Sequence, residues 1–123
     1  MSMQLEVPEG YYFDYLSILA VKAVNKPDNK VLVEEYMKCF MKAAEQLGEE
    51  LITEIATSKE FDHLNLINLD LYEYVDLVKQ DKVTGKQVDA KVYERFLAKK
   101  ALQEKFFPNK PYTEQKFGYE KKI

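Results

Sequence analysis

Apolar residues recur along most of this chain at the three- and four-residue spacings of amphipathic helices, and the pattern predicts four of them. The cleanest runs from about Lys30 to Ala56. Val33, Tyr36, Met37, Phe40, Met41, Ala44, Leu47, Leu51, Ile52 and Ile55 fall in one arc of roughly 160°, while Glu34, Glu35, Lys38, Lys42, Glu45 and Glu49 hold the opposite face. Gly48 interrupts this stretch at a cost of about 1 kcal/mol relative to alanine, which a helix of about 27 residues absorbs.

The preceding helix, about Tyr11 to Asn25, is patterned differently. Asp14, Ser17, Lys22 and Asn25 share one sector, but Ile18 and Val21 break into it, so the helix is apolar nearly all round. Such a helix is buried, which predicts the central element of a bundle or part of a subunit interface. Ahead of it, Pro8 holds residues 1–9 extended; behind it, the segment Asn25 to Asn29 around Pro27 stops it.

Thr57 to Glu60 has the form of a capping box, so a third helix is expected from there to about Lys82. Its main face is Phe61, Leu64, Ile67, Leu71, Tyr72, Tyr74, Val75 and Val78, with a weaker stripe of Leu66, Leu69 and Leu77. The middle of this run alternates partly like a strand, but its length and sustained period favour helix. Val83 to Lys86 reads as a turn in which Gly85 stops the helix. A fourth helix, about Gln87 to Phe106, turns Val88, Val92, Tyr93, Phe96, Leu97, Leu102 and Phe106 broadly inward, although Lys99 and Lys100 blur that face. Pro108 and Pro111 then end helical structure and leave residues 107–123 as an extended tail packed on the bundle. The expected fold is all-α: one domain over residues 1–123, an antiparallel bundle of about four helices around the first.

Composition narrows the chemistry. A chain of 123 residues and 14.4 kDa is one domain's worth and can build a core without metal or disulfides. With 46% hydrophobic and 32% charged residues, 4 Gly and 4 Pro, it is not collagen-like, low-complexity or disordered. One cysteine, Cys39, and one histidine, His63, exclude an internal disulfide and the Cys/His zinc patterns, so neither metal nor cofactor is expected. Arg95 stands alone against 17 lysines, which removes most bidentate grips on carboxylate or phosphate. The first residues carry no secretory signal, and no apolar stretch is long enough to span a membrane, so a cytoplasmic protein is expected.

Charge is uneven. Residues 1–82 hold 8 basic and 16 acidic side chains, and residues 83–123 hold 10 basic and 5 acidic. A basic final third beside aromatics could form a nucleic-acid arm, but the chain is net acidic and carries no nucleic-acid motif. The favoured reading sets the basic third against the acidic helices of the same chain or a neighbour. The aromatics cluster at Tyr11, Tyr12, Phe13 and Tyr15 and again at Phe106, Phe107, Tyr112, Phe117 and Tyr119, where they plug grooves in the bundle or form an interface.

No catalytic set emerges. His63 lies beside Asp62 at the edge of an apolar face and has no second ligand-type partner, so it reads as a surface or half-buried histidine. Cys39 lies on the flank of its helix, and only His63 could serve it as an imidazole base. Thr84 to Lys86 lacks the frame of a phosphate loop. Glu34 with Glu35, and Glu49 with Glu50, read as hydrated faces. Asp14 and Asn68 are different, because each falls where the pattern is apolar and a buried polar group must be paired. Either they share a hydrogen bond that fixes helix register, or they line a small polar pocket, with Lys22, that holds a ligand.

The segment Glu6 to Lys22 resembles the opening motif, E-x-P-x-G-x-x-x-D-x-x-x-I-L-x-x-K, of a family of small bacterial and phage helical proteins of unknown function. Glu6, Pro8, Gly10, Asp14, Ile18, Leu19 and Lys22 match it, while Tyr11 and Tyr15 replace an acidic and a basic residue. Leu64, Ile67, Asn68, Leu71 and Tyr72 are similar to a second stretch of that family, and Glu114, Gln115, Lys116 and Phe117 to its end. The resemblance implies a helical domain with no assigned activity. It singles out Asp14, Lys22, Asn68, Glu114 and Lys116 as a ligand-binding set that meets if the tail folds back. On these grounds the chain is expected to be a non-enzymatic cytoplasmic module that forms a homo-oligomer or takes a protein partner. The alternatives are a ligand binder or enzyme with a polar pocket in the bundle, and nucleic-acid binding through the basic C-terminal third.

Overall fold

The computed structural model describes residues 8–109, which form five α-helices and no strand. They are α1 (Glu9–Asn25), α2 (Lys30–Leu47), α3 (Glu49–Ala56), α4 (Lys59–Lys79) and α5 (Gly85–Phe106). The all-helical class is the expected one; the number of helices is not. Residues 110–123, with the expected tail, and residues 1–7 lie outside the described residues.

The extra helix comes from Gly48. Its φ of +90° places it in the region that favours glycine, and α2 ends there with the Gly48 amide donating to the Ala44 carbonyl. The single helix expected over Lys30–Ala56 is therefore two, and α3 packs on both α2 and α4. Two further expectations shift. Ser58, not Thr57, caps α4: its hydroxyl accepts from the Phe61 amide at 3.1 Å, while the Thr57 hydroxyl donates back to Thr53. Gly85 does not stop a helix but begins α5. The capping box lies at Thr84 and Gln87, whose side chains reciprocally bond each other's backbone amides. The chain reverses before it through Asp81, at φ 58°.

Helix α1 packs against α2, α4 and α5, as expected of a helix apolar on all sides. Phe13 lies at the centre of the core. Its ring meets Phe61 edge-on at 6.1 Å and stacks on Phe107 at 6.4 Å, and Leu16, Ile52, Ile55, Leu64, Ile67 and Leu102 close around them. Burial fades along α4 and α5 away from this centre. Val75 and Val78 of α4, and Val92, Tyr93 and Leu97 of α5, all read as inward from the pattern, are exposed. Lys99, which blurred the inward face of α5, is buried instead.

Candidate functional site

Charged and polar side chains converge where α1, α4 and α5 meet. From α1, Asp14 and Ser17 lie one turn apart on the same face. From α4, the Asn68 side-chain amide donates to Asp14 Oδ1 and to Ser17 Oγ, each at 3.0 Å. From α5, Arg95 Nε lies 3.4 Å and Lys99 Nζ 3.9 Å from Asp14 Oδ2. Asp14 is 6% exposed and Lys99 4%, so the carboxylate and the ammonium share an environment almost without water. The ammonium also sits 4.6 Å over the centre of the Tyr11 ring, a cation–π contact that replaces part of its lost hydration. Both Asp14 oxygens are thus engaged within the chain.

A second polar link lies nearer the start of α1. The residue before that helix is Pro8, which supplies no side-chain cap, and the first amides of a helix have no partner within it. Gln103 of α5, fully buried, supplies one from outside. Its Oε1 accepts from the Gly10 amide at 2.6 Å, and its Nε2 donates to Glu9 at 2.8 Å. Together Arg95, Lys99 and Gln103, at four-residue spacing, present one polar row of α5 to α1. This row explains why α5 carries so weak an apolar stripe and still packs.

Of the five residues singled out from the sequence, the structure brings Asp14 and Asn68 together. Lys22 is exposed on α1, two turns past Asp14, and Glu114 and Lys116 lie outside the described residues. Sequence reasoning missed Ser17, Arg95, Lys99 and Gln103. The signal for the last three was the interruption of the α5 stripe by Lys99, with Arg95 and Gln103 one turn to either side.

Two other places hold reactive types of side chain. Where α1 meets α2, the Tyr12 hydroxyl donates to the Cys39 carbonyl at 2.6 Å and the Cys39 thiol faces Glu35 at 3.8 Å. Burial first, and then Cys39 and Glu35, push the Tyr12 phenol up to about 12. Burial and the Glu35 carboxylate likewise push the Cys39 thiol up, which keeps it protonated and a poor nucleophile. Between α4 and α5, a cavity of about 410 Å³ is lined by Lys59, Glu60, His63, Ala98 and Ala101. Glu60 there accepts from Lys105 at 2.9 Å, a contact that lowers its pKa. Neither Asp14 nor Asn68 lines this cavity.

Among the described residues no three His, Cys, Asp or Glu side chains gather as metal ligands would, and no helix is long and apolar enough to cross a membrane. One buried polar atom among them, Asn65 Oδ1 on α4, has no hydrogen-bond partner. No protein-family model, no curated protein and no solved structure matches this chain.

Proposed function

We propose that this chain is a non-enzymatic helical module that acts by self-association or by binding a protein partner, inside the cytoplasm. In this reading α1, α2, α4 and α5 form an antiparallel bundle around α1, and the polar cluster at Asp14 works as its register pin. The observation that carries the reading is the apolar surface left uncovered. Val24 of α1, Met37 and Met41 of α2, Leu66 and Val75 of α4, and Tyr93 and Leu97 of α5 are each exposed. The polar cluster supports it from the other side. A ligand-binding site needs unspent hydrogen-bonding groups facing a cavity, whereas the Asp14 oxygens are engaged by Asn68, Arg95 and Lys99. The resemblance to helical proteins without assigned activity is in keeping with this.

Sedimentation equilibrium from about 1 to 200 µM tests the reading across the affinity range of ordinary protein contacts. The weight-average mass is expected to rise above 14.4 kDa with concentration. A mass fixed at that value contradicts self-association and confines the reading to a different protein partner. A strong thermal shift with a small metabolite, lost in Asn68→Ala, contradicts both and moves the function to the polar cluster.

A further inference from the structure

The self-association reading leaves open which surface is used, and helix α2 answers it. This helix has the cleanest apolar arc in the chain, yet of its 18 residues only Ala43 is fully buried, and Tyr36, Phe40, Ala44 and Leu47 pack half-buried against the core. It packs on α1 and α3 and makes no substantial contact with α4 or α5. One edge of the arc is uncovered: Met37 is 55% and Met41 66% exposed, and the same helical row continues through half-buried Ala44 to exposed Gly48. A side chain at Gly48 would meet nothing within 4 Å. Beside this row, on its polar flank, stand Lys38 and Glu45, of opposite charge and two turns apart. Neither makes an ion pair among the described residues.

We propose that α2 packs against the α2 of a second copy, antiparallel, about a two-fold axis level with Met41 and Lys42. The proposal rests on the self-association reading. Two independent features select the same register. In an antiparallel pair, like flanks face each other, so an axis midway between Lys38 and Glu45 sets each Lys38 level with the other copy's Glu45 and forms two ion pairs by symmetry. The same axis sets each Met37 level with the gap between Ala44 and Gly48 of the other copy. There the two smallest residues of the row leave a hole for a long flexible side chain. Met41 then lies against its own counterpart at the axis. A partner of different chemistry would need neither the symmetric charge spacing nor the match of Met37 to Ala44 and Gly48.

The test is sedimentation equilibrium of the full chain and four variants, each checked for retained helicity by circular dichroism. Wild type is expected at twice the chain mass of 14.4 kDa, and Met41→Asp at the chain mass. Lys38→Glu and Glu45→Lys, which each turn two attractive pairs into repulsive ones, are expected to weaken the dimer about tenfold. The double variant Lys38→Glu/Glu45→Lys restores the pairs and is expected to recover to within about threefold of wild type. A double variant no tighter than the single ones overturns the register. A dimer insensitive to Met41→Asp and to the charge reversals overturns this surface while self-association stands, and a wild type monomeric at about 200 µM overturns both.

Discussion

Helices α1 and α2 lie side by side and have nearly the same length, yet their sequences and their burial run in opposite order. The pattern of α2 is the clearest in the chain and its burial the slightest: Ala43 alone is fully buried, while Tyr36, Phe40, Ala44 and Leu47 are half-buried against the core. The pattern of α1 is weak, because Ile18 and Val21 break into the sector that Asp14, Ser17 and Lys22 share. Even so Gly10, Phe13, Asp14, Leu16, Ser17, Leu19 and Val21 are all buried. Amphipathicity measures how well a helix separates an apolar face from a polar one, and a helix surrounded by neighbours has no polar face to separate. On α2 the apolar face is only half covered: Tyr36, Phe40, Ala44 and Leu47 pack against the core, and Met37 and Met41 at its edge are exposed.

That contrast can be broken most forcefully at Asp14. Asp14→Ala removes the carboxylate that faces buried Lys99 and half-buried Arg95, and it should lower unfolding free energy by about 3–5 kcal/mol in urea titrations. In the core beneath, Leu16→Ala should cost about 2–5 kcal/mol by the cavity it opens. Asn68→Ala removes donors to both Asp14 and Ser17 and should cost about 1–3 kcal/mol. On α2 the expected effects shrink. Gly48→Ala meets no steric obstacle but requires a left-handed backbone, so about 1 kcal/mol should be lost. Met41→Ala, measured where the chain is monomeric, should stay within about 0.5 kcal/mol. A Met41→Ala loss as large as that of Leu16→Ala would erase the distinction between the two helices.

The boundary between α1 and α2 also has a pH signature. Tyr12 is ordinarily deprotonated near 10 and here is pushed up to about 12, so the folded chain favours the neutral phenol. A folded pKa raised above the unfolded one gives stability that is complete below about pH 10 and is lost as pH rises toward 12. Tyr12→Phe should remove that part of the alkaline loss, which denaturant titrations at pH 9 and about pH 11 would show. The smallest effect is at Cys39, whose thiol should react more slowly with a disulfide reagent at about pH 8 than a free cysteine, and faster in Glu35→Gln.

Much of the fold was legible because it rests on periodicity and on stop signals. The ends of α1 at Pro8 and Pro27 and the length of α4 follow from side chains close in sequence. The break at Gly48 was not, because the cost of glycine within a helix is small and the contact of α3 with α4 that accompanies the break is invisible to a local pattern. Gly85 was misread for a related reason: Thr84 and Gln87 form a reciprocal cap whose signal competes with that of a glycine stop. The pairing of Asp14 with Asn68 was half visible, since each interrupts an apolar pattern. Lys99 also interrupts an apolar stripe, but its partners are not legible from that interruption. Lys99 looks like a surface lysine until Asp14, Tyr11 and the start of α1 are placed around it.

Amide hydrogen exchange measured at low and at high protein concentration tests the contrast most directly. Protection of α1 should be high and unchanged between about 1 and 200 µM, whereas protection of α2 should be low at the first concentration and rise at the second. Protection of α2 that is already equal to that of α1 in dilute solution, and indifferent to concentration, would contradict the view that its apolar edge waits for a cover.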